Sequence, residues 1–74
     1  IAYDLRSAGK SRLVIYDVSG AVVRRLVDAT QPAGRYSVTW DGRDDAGHQS
    51  ASGVYFYRLT SGSFSQTRKM VLLK

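Results

Sequence analysis

Trp40-Asp41-Gly42-Arg43-Asp44-Asp45-Ala46-Gly47, then Gly53-Val54-Tyr55-Phe56-Tyr57, and at the end Lys69-Met70-Val71-Leu72-Leu73-Lys74 are the stretches of this chain that decide its fold. A loop dense in Asp and Gly, suited to tight turns, separates runs rich in aromatic and β-branched residues, which suit a pleated surface. No stretch combines helical apolar spacing with caps, and Glu, a common filler of exposed helix positions, is absent. The chain therefore reads as all-β, with a last strand apolar enough to be adhesive. No catalytic constellation surrounds these runs. The pattern points to a part that is recognised, or that holds other parts together, and not to turnover.

Working outward, turn signals recur at the spacing of roughly 8–12 residues expected of a sandwich or barrel. Ile1, Tyr3 and Leu5 share one face of a first strand, and Ser7-Ala8-Gly9-Lys10 is a turn. Residues 11–17 form a strand with Leu13 and Ile15 on one face and Val14 and Tyr16 on the other. Asp17-Val18-Ser19-Gly20 is a tight turn, with Asp placed for an Asx bond and Gly where positive φ is required. Residues 21–27 return as the second half of a hairpin. Residues 28–34, which hold the single proline, Pro32, read as a polar loop. Residues 35–40 alternate, sending Tyr36, Val38 and Trp40 inward. Residues 48–52 are expected to form a short edge piece. Residues 53–60 form a strand with Tyr55, Tyr57 and Leu59 on one face, residues 61–63 turn, and residues 64–73 close the sheet. About seven strands in one small domain make an immunoglobulin-like antiparallel sandwich the expected architecture.

Size and charge exclude several functions. At 74 residues the chain is one domain, and a domain this small buries only about 60% of the surface its unfolded chain exposes. It has no core to give up for an internal substrate cavity. With no Cys, neither a disulfide framework nor a thiolate metal site is available. No apolar run approaches the roughly 18–20 residues of a membrane-crossing helix, and no signal peptide is visible. Ile1 already reads as the inside of a strand, so the chain is expected to be the C-terminal piece of a longer protein. The net charge of +5 comes from 11 basic and 6 acidic residues, and all the acids are Asp. The basic residues are scattered over every element, which suits solubility and edge protection better than a nucleic-acid surface.

Individual chemical motifs are equally sparse. Asp41, Asp44 and Asp45 are the one metal candidate, but their spacing is not that of a helix-loop-helix calcium loop, and Asp–Gly connections ordinarily make Asx turns. His48 has no second His or Cys beside it. No Gly-x-Ser-x-Gly elbow and no Gly-x-x-x-x-Gly-Lys phosphate cradle occur. No cofactor is implied. Tyr55-Phe56-Tyr57 with Arg58 could mimic a base-stacking platform, but strand alternation accounts for it as core on one face. The run from Met70 to Leu73 is apolar on both faces. It is either a central strand covered on both sides or an adhesive strand whose outer face awaits a partner.

An ordered set of four motifs carries a family resemblance. The set is Ile15-Tyr16-Asp17-Val18-Ser19-Gly20 backed by Val23 and Leu26, Ala33-Gly34, Trp40-Asp41-Gly42 with Asp44 and Gly47, and Ser52-Gly53-Val54-Tyr55. It resembles the immunoglobulin-like domain shared by flagellar hook-capping proteins and by the C-terminal sorting domains of type IX secretion cargo, over nearly the whole chain. The ending, Gly53-Val54-Tyr55 followed by Lys69 to Lys74, is similar to that of the sorting domains. The chain departs from the family in lacking an opening Asn-Pro-Phe/Asn segment and in carrying Ala21 after the turn glycine.

The resemblance implies a non-enzymatic module of a bacterial secreted or cell-surface protein. Such a module is captured by an outer-membrane translocon and removed by a surface peptidase of the sortase type, with its cargo passed to lipopolysaccharide. Recognition would then rest on Gly53, Val54 and Tyr55 and on Lys69, Met70, Val71, Leu72, Leu73 and Lys74, the last strand offering its backbone for strand addition. The alternative is a structural assembly or adhesion module, hook-cap-like or in an extracellular filament, in which the same strand pairs with a neighbouring copy. More distant is a carbohydrate- or nucleic-acid-binding module using the basic face.

Overall fold

The hairpin at the centre of the molecule shows how local chemistry starts the fold. In the computed structural model, which describes residues 1–73, β2 (Gly9–Tyr16) runs into a turn and returns as β3 (Val22–Gln31). The Asp17 carboxylate accepts from the Ser19 amide at 2.9 Å, the Ser19 hydroxyl at 2.6 Å and the Ala21 amide at 3.1 Å. Gly20, at φ +87°, supplies the left-handed residue that the turn requires.

β3 runs four residues further than the apolar pattern predicts. Asp28, Ala29, Thr30 and Gln31, expected to lie in a loop, pair with Arg12, Ser11, Lys10 and Gly9. Asp28 sits between Lys10 at 3.8 Å and Arg12 at 3.5 Å. Ladder bonds are made by the backbone, so a polar run can be a strand where its side chains face water. Register shifts after Leu13 and after Ile15 also break the alternation along β3. The connection shrinks to Pro32 and Ala33, where proline can donate no ladder bond.

β4 (Gly34–Ser37) pairs antiparallel with β1 (Ala2–Leu5) as a two-stranded sheet. β5 (Gly53–Ser61) joins β2, and β6 (Phe64–Leu72) joins β5, which completes a four-stranded sheet in the order β3-β2-β5-β6. Six strands and no helix are present among the described residues, against about seven strands expected. The missing one is the edge piece at 48–52, of which only an isolated bridge between Arg43 and Gln49 forms. That segment is folded onto its own loop by bonds from the Asp44 amide to the His48 carbonyl and from the Ser50 amide to the Gly42 carbonyl.

The small sheet packs on the inner face of the large one. Tyr3 and Leu5 meet Leu13 and Leu59, while Ile15, Trp40 and Tyr55 form a second cluster. Ile1, Leu26 and Tyr57 touch both clusters. Leu13 and Ile15 are fully buried, and each such side chain contributes about 1.5–3 kcal/mol. Trp40 is in the core as predicted, although the ladder ends at Ser37.

Candidate functional site

The two stretches singled out at the end of the sequence lie side by side. Gly53 pairs with Leu72, Val54 with Val71 and Tyr55 with Met70. What joins them is the turn at Gly62 and Ser63, with Gly62 at φ +57°, the glycine placement of a two-residue type II′ hairpin.

Within this ladder the residues divide by role. Tyr55 is buried; its hydroxyl donates to the Ala51 carbonyl at 2.6 Å, and its ring meets Trp40 edge-on at 5.1 Å. It anchors the strand from within the core. Gly53 stands at φ +153° with open space where a Cβ would be, so backbone conformation and not crowding calls for glycine there. Met70 and Leu72 face inward, half-buried against the Ile15–Trp40–Tyr55 cluster. The exposed members are Val54 at 38%, Val71 at 56% and Leu73 at 83% accessible, together with Lys69. Lys74 lies outside the described residues.

β6 is an edge strand, with β5 as its single neighbour. This overturns a central strand covered on both sides, and the sheet is not closed by it. In a hairpin with a two-residue turn the flanking pair, here Ser61 and Phe64, exchanges backbone bonds, and the pattern alternates from there. Ser65, Thr67, Lys69 and Val71 therefore turn their N–H and C=O groups outward. No residue outside the sheet bonds to them among the described residues. Ser65 and Thr67 escape a search by side-chain pattern, since an edge is a property of the backbone; counting residues from the Gly62-Ser63 turn is the signal that finds them.

The acidic loop sits at the opposite edge. Asp41 accepts from the Arg43 amide at 3.0 Å, and Asp44 accepts from the amides of Ala46 at 3.0 Å and His48 at 2.9 Å. Asp45 reaches across to β3: its amide donates to the Val23 carbonyl at 2.9 Å, and its carboxylate accepts from the Arg25 amide at 3.0 Å and pairs with the Arg25 guanidinium at 2.9 Å. Asp41 and Asp45 also share Arg24, at 3.4 and 3.9 Å, while Asp44 serves its own loop. Among the described residues no three His, Cys, Asp or Glu side chains converge as a metal site.

A groove of about 680 Å³ lies between β1 and the inner side of β6, lined by Tyr3, Leu5, Leu59, Phe64, Gln66 and Arg68. It exists because the small sheet has two strands and leaves the first half of β6 uncovered. On the outer face Arg58 lies over the Tyr16 ring at 5.5 Å and donates to the Thr67 hydroxyl at 3.1 Å. That contact occupies the side chain read as part of a stacking platform.

The family model described as FlgD Ig-like domain matches residues 2–64. No curated protein and no solved structure matches the chain significantly. The matched region includes Gly53, Val54 and Tyr55 and stops at Phe64, where β6 begins.

Proposed function

This chain belongs to the family of FlgD Ig-like domains, and on that ground we propose that it is a non-enzymatic structural module that joins a neighbouring subunit by strand addition at β6. The observation that carries the proposal is the open β6 edge, four residues of outward backbone beside the exposed Val54–Val71 pair. An edge of this kind gives affinity through main-chain bonds and specificity through alternate side chains. Its setting would be a bacterial extracellular assembly, as in the hook-capping family. No reaction is assigned to it.

The test is site-specific photocrosslinking in the cell of origin, from Thr67 on β6 and from Thr30 on β3 as the control. Thr67 should yield a discrete product containing another structural subunit. Crosslinking from Thr30 with none from Thr67 would overturn the assignment.

A second reading has one observation in its favour. Gly53-Val54-Tyr55 and Met70-Val71-Leu72, the stretches expected of a type IX sorting signal, form one continuous ladder that a translocon could read together. The family match is to the hook-capping type, which favours assembly. Fusing residues 1–74 behind a signal-peptide-bearing reporter in a host with type IX secretion separates the two. A structural module leaves the reporter in the periplasm. Export that is lost when residues 69–74 are deleted, with the reporter intact, would establish sorting instead.

A further inference from the structure

We propose that the β6 edge selects an acidic extended segment, which adds to the sheet with carboxylates beside Arg68 and Lys69. This rests on the strand-addition reading above and names the chemistry of the partner.

The argument begins with the distribution of charge. All six Asp residues lie at or before position 45. Most are engaged within turns or on the far side of the molecule from β6, Asp28 with Lys10 and Arg12, and Asp41 and Asp45 with Arg24 and Arg25; Asp4 lines the groove with Arg68 but is paired with Arg35 at 3.1 Å. The β5–β6 hairpin carries Arg58, Arg68 and Lys69 and no acid. Among the described residues none of these three cations has a carboxylate partner. The open edge is therefore positive, and the closed edge is neutralised.

Strand alternation then sets the geometry. Lys69 lies on the outer face with Val71, and Arg68 lies on the groove side with Phe64. Two adjacent acidic residues in an added strand point to opposite faces, so each reaches one cation. The molecule already uses this chemistry at its other edge. There the Asp45 carboxylate accepts a backbone N–H of β3 and pairs with an arginine of the same strand. A second copy of β6 would instead bring a second Arg68–Lys69 pair to the seam, and like charges across a ladder oppose pairing. A nucleic acid supplies anions but no alternating donors and acceptors to match the outward backbone.

The experiment follows amide hydrogen exchange by NMR on the 74-residue chain with synthetic peptides of about nine residues, the length of β6. The peptides are β-branched, with two central Glu, Gln or Lys residues, plus a Glu peptide interrupted by proline. The Glu peptide should slow exchange at Ser65, Thr67, Lys69 and Val71 and bind about tenfold tighter than the Gln peptide, the size expected of two exposed ion pairs. Arg68→Gln with Lys69→Gln should remove that preference; should the double variant not fold, Lys69→Gln alone should reduce it.

Equal protection by the Gln peptide would overturn the charge selection and leave strand addition standing. No protection of β6 by any peptide would overturn both. Equal effects from the proline-interrupted peptide or from a single-stranded oligonucleotide would reduce the site to anion attraction and sink the proposal. Protection that grows with the concentration of the chain alone would assign the edge to a second copy, and would equally sink it.

Discussion

β3 and β6 are the two edges of one sheet and were left by folding in opposite states. At β3 the amide and carboxylate of Asp45 take the places a neighbouring strand would fill, on Val23 and Arg25, and acids neutralise the arginines around them. At β6 the outward backbone of Ser65, Thr67, Lys69 and Val71 meets no other part of the described chain. Side-chain composition does not explain the difference, since both strands carry charged residues of the kind that discourage edge pairing. What separates them is a loop. An edge is closed by the chain that folds over it, and among the described residues the loop between β4 and β5 bonds to the β3 edge and not to the outward backbone of β6.

That loop is tied to the core through Trp40, whose indole Nε1 donates to the Arg43 carbonyl at 2.9 Å while the ring packs on Tyr55. Trp40→Ala should break the comparison most severely, removing core and tether together. The expected loss is about 3–5 kcal/mol, read by urea unfolding; a loss below about 1 kcal/mol would refute the anchoring role of the ring.

Asp45→Ala removes the closure and leaves the core intact. It should cost about 1–2 kcal/mol, because its bonds are charge-assisted but partly exposed. Exchange of the Arg25 amide should accelerate while amides of β6 stay unchanged. Unchanged Arg25 exchange would mean that Asp45 does not close the edge.

A smaller effect is expected at the turn that carries β3. The Ser19 hydroxyl, the largest influence, and the Ala21 amide donate to Asp17 and hold its carboxyl below the ordinary value of 3.8. A carboxylate with a lowered folded-state pKa contributes stability above its unfolded pKa, and loses it as pH falls through the folded value. Asp17→Asn should therefore flatten the acid limb of the stability curve as pH falls below the unfolded carboxylate value. An identical acid limb in the variant would remove Asp17 from that role. The smallest effect is none at all. Millimolar calcium should leave the melting temperature unchanged, because the carboxylates of Asp41, Asp44 and Asp45 are committed to turn amides and to arginines. A bound ion at a hundredfold excess over its dissociation constant would add about 2.7 kcal/mol, so a clear rise would show that the loop holds metal.

Much of this is legible in the sequence alone. The 2–3 hairpin, its Asp17 turn, the inward faces of β1, β2 and β5, and the burial of Trp40 all follow from period-2 alternation and turn residues, which are local properties. The misses have a common cause. Residues 28–31 look like a loop because their side chains are polar, yet their backbone pairs with residues 9–12. Residues 48–52 look like an edge piece, yet the loop turns them back on itself. In both places the backbone's choice of partner outweighed side-chain character.

Alternation and turn chemistry, written in the sequence, determined an all-β chain and its core faces, and marked the two stretches around Tyr55 and Met70 as strands. Only the tertiary structure decided that those stretches are one ladder, that β6 is an edge, and that the acidic loop covers β3 and leaves β6 open. The reason is that side-chain periodicity records which face of a strand is buried. Which strand stands beside it depends on backbone groups that are the same in nearly every residue, and on where a distant loop comes to rest.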